Sequence, residues 1–394
     1  MSRFPPDQKP STRAAQALGW VDPATGALVP PLHAAVQYER TAAGEPTGGR
    51  VYTRDQNPTY EQAEALLASL EGGSAAMLFS SGMAAATTVF ETLDLGDHVV
   101  APEQMYWMLR RWLQDQAARE RIALDLVPNG DMAALRGALR PGATRIVWAE
   151  TPANPGGAIT DLAAAAAAAH DAGARLVVDN TLPTPVLCRP LAHGADLVMH
   201  SATKQLNGHS DVLAGALVTA REDELWKRCR RERAFRGAVL GPFESWLLLR
   251  GMRTVCLRVA ASARNAQRIA EACNGHPAVS AVIYPGLPGH PGHPVAARQM
   301  DGGFGAVVSL RMKGGAAAAR QVVLALRLFH NATSLGGVES LAEPRGQVEG
   351  SGSPVPDDLV RLSVGIEDAG DLVADLRQAL DAAVRSGARY SNGE

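Results

Sequence analysis

The chain has 394 residues, with 38 Lys and Arg against 40 Asp and Glu and a formal net charge of −2. That balance, without a run of one sign, argues against a nucleic-acid surface or a polybasic membrane patch, so the expected partner is a small molecule. Four cysteines without CxxC pairing or a structural zinc spacing, no apolar window of about 18 residues and no apolar signal core near Met1 lead us to expect a cytoplasmic, reducing setting.

In chain order, residues 1–55 are rich in Pro, Gly and polar residues and read as an extended arm. Residues 56–250 read as a large domain. Its apolar runs "AAMLF", "DHVVAP", "RIALDLV", "TRIVWAE", "ARLVVDN" and "ADLVMHS" alternate with helical patterns such as "DLAAAAAAAHDAGA". Short β-branched runs separated by helices predict an α/β fold with a mainly parallel sheet covered on both faces. From about residue 222 the pattern becomes helical, ending in the long segment "ESWLLLRGMRTVCLRVAASARNAQRIAEA". Residues 251–394 then read as a smaller α/β domain with strands "AVSAVIYP", "GAVVSLRM" and "LVRLSVGIE". His290 and His293 in "PGLPGHPGHP" read as loop histidines, because no third ligand is near and proline breaks any helix that would align them; no metal is expected.

Three strand ends carry unusual polar residues. Ser81-Gly82-Met83 opens a helix directly after a strand, where free backbone amides and a glycine suit a phosphate or simply cap the helix. GxGxxG and GxxxxGK[ST] are both absent, which demotes nicotinamide cofactors and nucleoside triphosphates. Asp179 ends "ARLVVD" with Thr181 two residues on; a carboxylate there could ligate a metal, cap a helix or pair with a protonated ring nitrogen. Lys204 in "HSATKQLNGHSD" lies between Ser201, Thr203 and a glycine-containing turn. An acid and a lysine at neighbouring strand ends, with a phosphate cradle upstream, are the groups that pyridoxal phosphate requires.

The stretches "YTRDQNPT", "SSGMAA", "ETPANP", "VVDNTLPTP", "HSATKQLNGHSD", "YPGLPGHPGHP", "SLGGVESL" and "LVRLSVGIEDAGDLVADL" follow one another in this order. Through them the chain resembles, over nearly its whole length, the Cys/Met metabolism family of pyridoxal-phosphate enzymes, the cystathionine synthases and lyases. The resemblance implies transferase fold type I and a homotetramer of two active dimers. It implies that Lys204 binds the cofactor covalently, that Asp179 pairs with the ring nitrogen and that Tyr106 stacks on the ring. It further implies that Gly82 and Met83, with Ser81, Thr181, Ser201 and Thr203 nearby, hold the cofactor, and that Tyr52 and Arg54 complete the phosphate site of the neighbouring subunit. Asn154, Ser340 and Arg361 would position the substrate. Arg361 also stands out on physical grounds, since an arginine inside the apolar run "LVRLSVG" is costly unless paired.

Two stretches depart from the family pattern. Trp107-Met108-Leu109 replaces a small run after the stacking tyrosine, and the segment after Leu341, "AEPRGQVEGSGSPVPDD", is shorter than the family's usual one. Both bear on substrate choice. The expected function is a carbon-sulfur lyase acting on sulfur amino acids by β- or γ-elimination. The alternatives are γ-replacement on the same residues, and a non-catalytic ligand-binding protein on the same scaffold, which would have no use for Lys204.

Overall fold

The apolar runs form two sheets in the computed structural model, which describes residues 8–346 and 353–391. The strands of the larger sheet are β1 (Ala75–Phe79), β2 (His98–Pro102), β3 (Ala123–Val127), β4 (Thr144–Glu150), β5 (Arg175–Asp179), β6 (Leu197–His200) and β7 (Gly215–Thr219). They lie in the order β1-β7-β6-β5-β4-β2-β3. The strands from β6 to β3 pair in parallel, while β7 runs antiparallel between β1 and β6. Alternate residues enter different cores: Val147, Leu176 and Val178 on one face, Ile146, Trp148 and Val177 on the other. Burial on both faces is why these strands read as unbroken apolar runs, each Val or Leu stabilising the sheet by roughly 1.5–3 kcal/mol.

Six of these seven strands follow from the sequence pattern. The short run "GALVT" of β7 does not stand out, because no helix precedes it and its pairing with β1 and β6 is set by tertiary contact. Close approach also dictates its first residue: a Cβ on Gly215 would collide with the backbone of Ser81. The alanine-rich run forms the helix Leu162–Asp171, capped by Asp161, which accepts the Ala164 N–H at 3.1 Å. Its small side chains bury Ala165, Ala166 and Ala169 close against the sheet.

The smaller sheet comprises β8 (Val279–Ile283), β9 (Val307–Met312), β10 (His330–Asn331), β11 (Leu341–Pro344) and β12 (Leu359–Ser363), ordered β10-β11-β12-β9-β8. The strands β8, β9 and β12 match expected ones; β10 and β11 have two and four residues, too few for a periodic signal. The helices Val255–Cys273, Gly315–Ala325 and Ala369–Ser391 pack on this sheet and on one another.

Two expectations change. The long helical segment divides into Pro242–Met252 and Val255–Cys273. At the break, buried Arg258 donates to the carbonyls of Gly251, Gln205 and Leu206 at 2.7, 2.7 and 3.2 Å, so helix end and lysine turn share one cation. The arm is not wholly extended either. Pro10–Ala15 is helical and docks on the Pro58–Glu71 helix, where Arg13 donates to the Ser69 carbonyl at 2.5 Å.

Candidate active site

Parallel pairing brings the carboxyl ends of β4, β5 and β6 to one edge, and each ends in a polar residue: Glu150, Asp179 and His200. Ligands of such sheets collect at this edge. A cavity of about 170 Å³ opens there, lined by Ser81, Gly82, Met83, Tyr106, Asn154, Asp179, Thr181, Ser201, Thr203 and Lys204. Ten residues expected from sequence therefore share one pocket.

The helix Gly82–Phe90 presents its N-terminus to the cavity, with Ser81 accepting the Ala84 N–H at 3.0 Å. Gly82 is required by packing, since a Cβ would lie 2.8 Å from the Ser201 Cβ. Asp179 is buried, and desolvation pushes its carboxyl up, against hydrogen bonds from Thr181 and the nearby charges of His200 and Lys204. The Thr181 N–H donates to Asp179 Oδ1 at 3.0 Å, while Thr181 Oγ1 accepts the Ser201 N–H at 2.8 Å; one residue thus ties the ends of β5 and β6 together.

Lys204 Nζ donates to Ser334 Oγ at 2.6 Å. Burial, followed by Arg361, lowers its ammonium to about 8, with Arg345 acting in the same sense and Glu343 and Asp179 opposing. The Ser334 carbonyl accepts from Arg361 Nη2 at 2.7 Å, which links the lysine to the arginine through one residue. Ser334 has φ +84°, a left-handed conformation uncommon outside glycine and of the kind that concentrates at functional sites. Arg361 itself lies behind the cavity wall, 3% exposed, with Glu343 Oε2 at 2.7 Å.

Other expected residues fall differently. Ser340 is fully buried, donates to Glu367 at 2.9 Å and accepts the Gly365 N–H, so it braces a turn outside the cavity. Ser334, six residues earlier in the same "SLGGVESL" stretch, holds the position facing Lys204. Tyr52 and Arg54 are exposed on the arm, with the guanidinium 5.3 Å from the tyrosine ring centre, and do not line the cavity. Of the bulky run after Tyr106, Leu109 lines the cavity and Met108 meets the Tyr106 hydroxyl at 3.3 Å. Burial raises the Tyr106 phenol, against the opposing charge of Arg345.

Two supporting residues escape a reading of the sequence. Glu150 accepts the Tyr106 N–H through Oε2 and the Asn154 N–H through Oε1, both at 2.8 Å, so one carboxylate fixes two walls of the cavity. Its place in "ETPANP" is the signal that could have flagged it. Beneath the sheet edge, Glu71 Oε1 binds His200 Nε2 at 2.6 Å and Asn180 Nδ2 at 2.8 Å, each residue at most 1% exposed. This buried cluster anchors the residues beside Asp179 and Ser201.

The profile of the Cys/Met metabolism PLP-dependent enzymes matches residues 11–381. The chain belongs to this family. It is 46% identical over 377 residues to the cystathionine gamma-synthase of Mycobacterium tuberculosis, covering 94% of this chain and 96% of that one. Identity to the cystathionine gamma-lyase of Bacillus subtilis is 42% over 368 residues, covering 91% and 96%. The structure of the Xanthomonas oryzae cystathionine gamma-synthase in complex with cystathionine aligns with a TM-score of 0.91 at 39% identity, covering 96% and 99%. The chain is thus a pyridoxal-phosphate enzyme of the trans-sulfuration group, and its α/β architecture is that of the family. The site fits that cofactor: an amine of lowered pKa, a desolvated carboxyl and a helix N-terminus kept open by glycine border one cavity.

Proposed function

We propose that the chain works on the carbon-sulfur bond of an amino-acid side chain, forming it by γ-replacement and eliminating the γ-substituent when no thiol is present. The observation that carries this is the convergence of Lys204, Asp179 and the Gly82 helix on one cavity, with Arg361 reached through Ser334. Elimination, the direction expected from the sequence, uses the same residues. The 46% identity to the gamma-synthase, against 42% to the gamma-lyase, favours replacement as the principal reaction.

When bound, pyridoxal phosphate supplies an aldehyde for an amine and a ring that disperses negative charge from Cα. Lys204 would hold the cofactor and then, as a free amine with a pKa near 8, move protons at Cα and Cβ. Asp179 would hold a proton at the ring nitrogen, and the amides of Gly82 and Met83 with the hydroxyls of Ser201 and Thr203 would bind the phosphate. Tyr106 would stack on the ring, Asn154 would orient the substrate, and Arg361 would take its α-carboxylate.

The proposal extends to organisation: residues 56–250 and 251–394 as large and small domains, and a cytoplasmic homotetramer of two dimers. Arm residues 1–55 of one subunit would bring Tyr52 and Arg54 to the next. Product analysis tests the chemistry. An O-acylhomoserine with cysteine should yield a thioether, and without cysteine a 2-oxo acid and ammonia. Failure of O-acylhomoserine, cystathionine and methionine alike to react would overturn the reading.

A further inference from the structure

We propose that Arg258 is a positioning residue for Lys204: it fixes the turn from which the lysine side chain swings between holding the cofactor and moving protons. This rests on the role given to Lys204 above. Inside the turn, the Gly208 N–H donates to the Lys204 carbonyl at 2.8 Å and the Asn207 N–H to the Ala202 carbonyl at 3.1 Å. The carbonyls of Gln205 and Leu206, the two residues after the lysine, accept from Arg258 Nη1 and Nη2 at 2.7 and 3.2 Å. Nη2 also donates to the Gly251 carbonyl at 2.7 Å, and Nε to the Thr254 hydroxyl at 3.0 Å.

Arg258 is 8% exposed, and burial pushes its guanidinium down to about 10. Its hydrogen bonds among the described residues all go to uncharged oxygens, which ties this cation to backbone rather than to a carboxylate. A guanidinium is a rigid fork, so contacts from three of its nitrogens set the orientation of the turn as well as its distance. The fit is close from both sides: a Cβ on Gly208 would overlap Arg258 Nη1, and one on Gly251 would overlap the Asn207 carbonyl. Arg258 stands in the first turn of the helix Val255–Cys273, whose far end, at Ile269 and Cys273, shares a core with Leu362, the neighbour of Arg361. One helix thus holds the backbone of Lys204 and backs the sheet that carries Arg361.

The test uses Arg258→Lys, which keeps the charge but loses the fork, and the milder Thr254→Val, which frees only Nε. In the cofactor-free chain, amide hydrogen exchange should quicken at Asn207 and Gly208, by about tenfold in Arg258→Lys, with core strands unchanged. In holoenzyme, L-alanine has no γ-substituent to lose, so exchange of its Cα hydrogen with deuterium reads proton transfer by the lysine alone. That exchange should slow by about 100-fold in Arg258→Lys and by a few fold in Thr254→Val. Alanine binding, followed by the shift of the cofactor's visible band, should stay within about threefold of wild type. A merely structural role would lower the urea midpoint and leave Cα exchange unchanged; that result, or equal loss of binding and exchange, would overturn the proposal. Should Arg258→Lys not fold, Thr254→Val decides alone, and wild-type exchange rates in it would overturn the proposal. A wild type that neither binds the cofactor nor exchanges alanine would sink the role of Lys204, and with it this proposal, whatever the amide exchange shows.

Discussion

The two walls of the site are built in different ways. The wall carrying Asp179, Lys204 and Gly82 comes from strand ends of the large sheet: β5 and β6 pair in parallel, and β1, beyond the antiparallel β7, runs in the same direction. The wall carrying Ser334 and Arg361 comes from the small sheet and depends on a cross-strand ion cluster and a serine in a left-handed conformation. Strand-end geometry fixes the cofactor groups with little adjustment. The buried Glu343–Arg361 pair rests on side-chain charges rather than on the sheet's pairing, so losing one partner leaves the other charge buried.

The first way to break the comparison is Lys204→Ala, which should abolish covalent cofactor binding and lower turnover by at least about 10³-fold, measured by absorbance and product release. Glu71→Gln attacks the support beneath the strand-end wall. It leaves His200 and Asn180 buried against a weaker partner and should lower unfolding free energy by about 3 kcal/mol in urea titration. Gly82→Ala sets a Cβ 2.8 Å from the Ser201 Cβ and should weaken pyridoxal phosphate by about tenfold in titration.

The pH dependence follows from the lowered Lys204. Cofactor capture requires the neutral amine, so its rate should rise with pH and level off above about 8. The unfolded chain, with a lysine near 10.5, binds more protons than the folded one between about 8 and 10.5. Lys204 therefore adds stability to the cofactor-free chain as pH rises through that window, visible as a change in urea midpoint relative to Lys204→Ala. The arm offers the smallest effect: Arg54→Ala should weaken the cofactor by a few fold, about 1 kcal/mol. Mixing that variant with Lys204→Ala should restore activity if subunits share their sites.

The strand-end wall is legible in the sequence because its signals are local: an apolar run, then a polar residue, at Ser80, Asp179 and His200. Of the second wall only Arg361 on β12 is legible, because β10 and β11 are too short to show a period, and Ser334 is recognised by its φ and its reach to Lys204. Ser340 misleads for the same reason: its place in "SLGGVESL" does not reveal that its hydroxyl is bound to Glu367. Glu150 and Glu71 act through backbone amides and a buried imidazole, contacts that only the fold creates.

The most direct test of the account is to load the protein with pyridoxal phosphate, reduce it with borohydride and map the adduct by peptide mass spectrometry. The chain has four lysines, Lys9, Lys204, Lys227 and Lys313. Stoichiometric labelling of Lys204 alone is the predicted result. Labelling at any other lysine, or none at Lys204, would contradict the site described here.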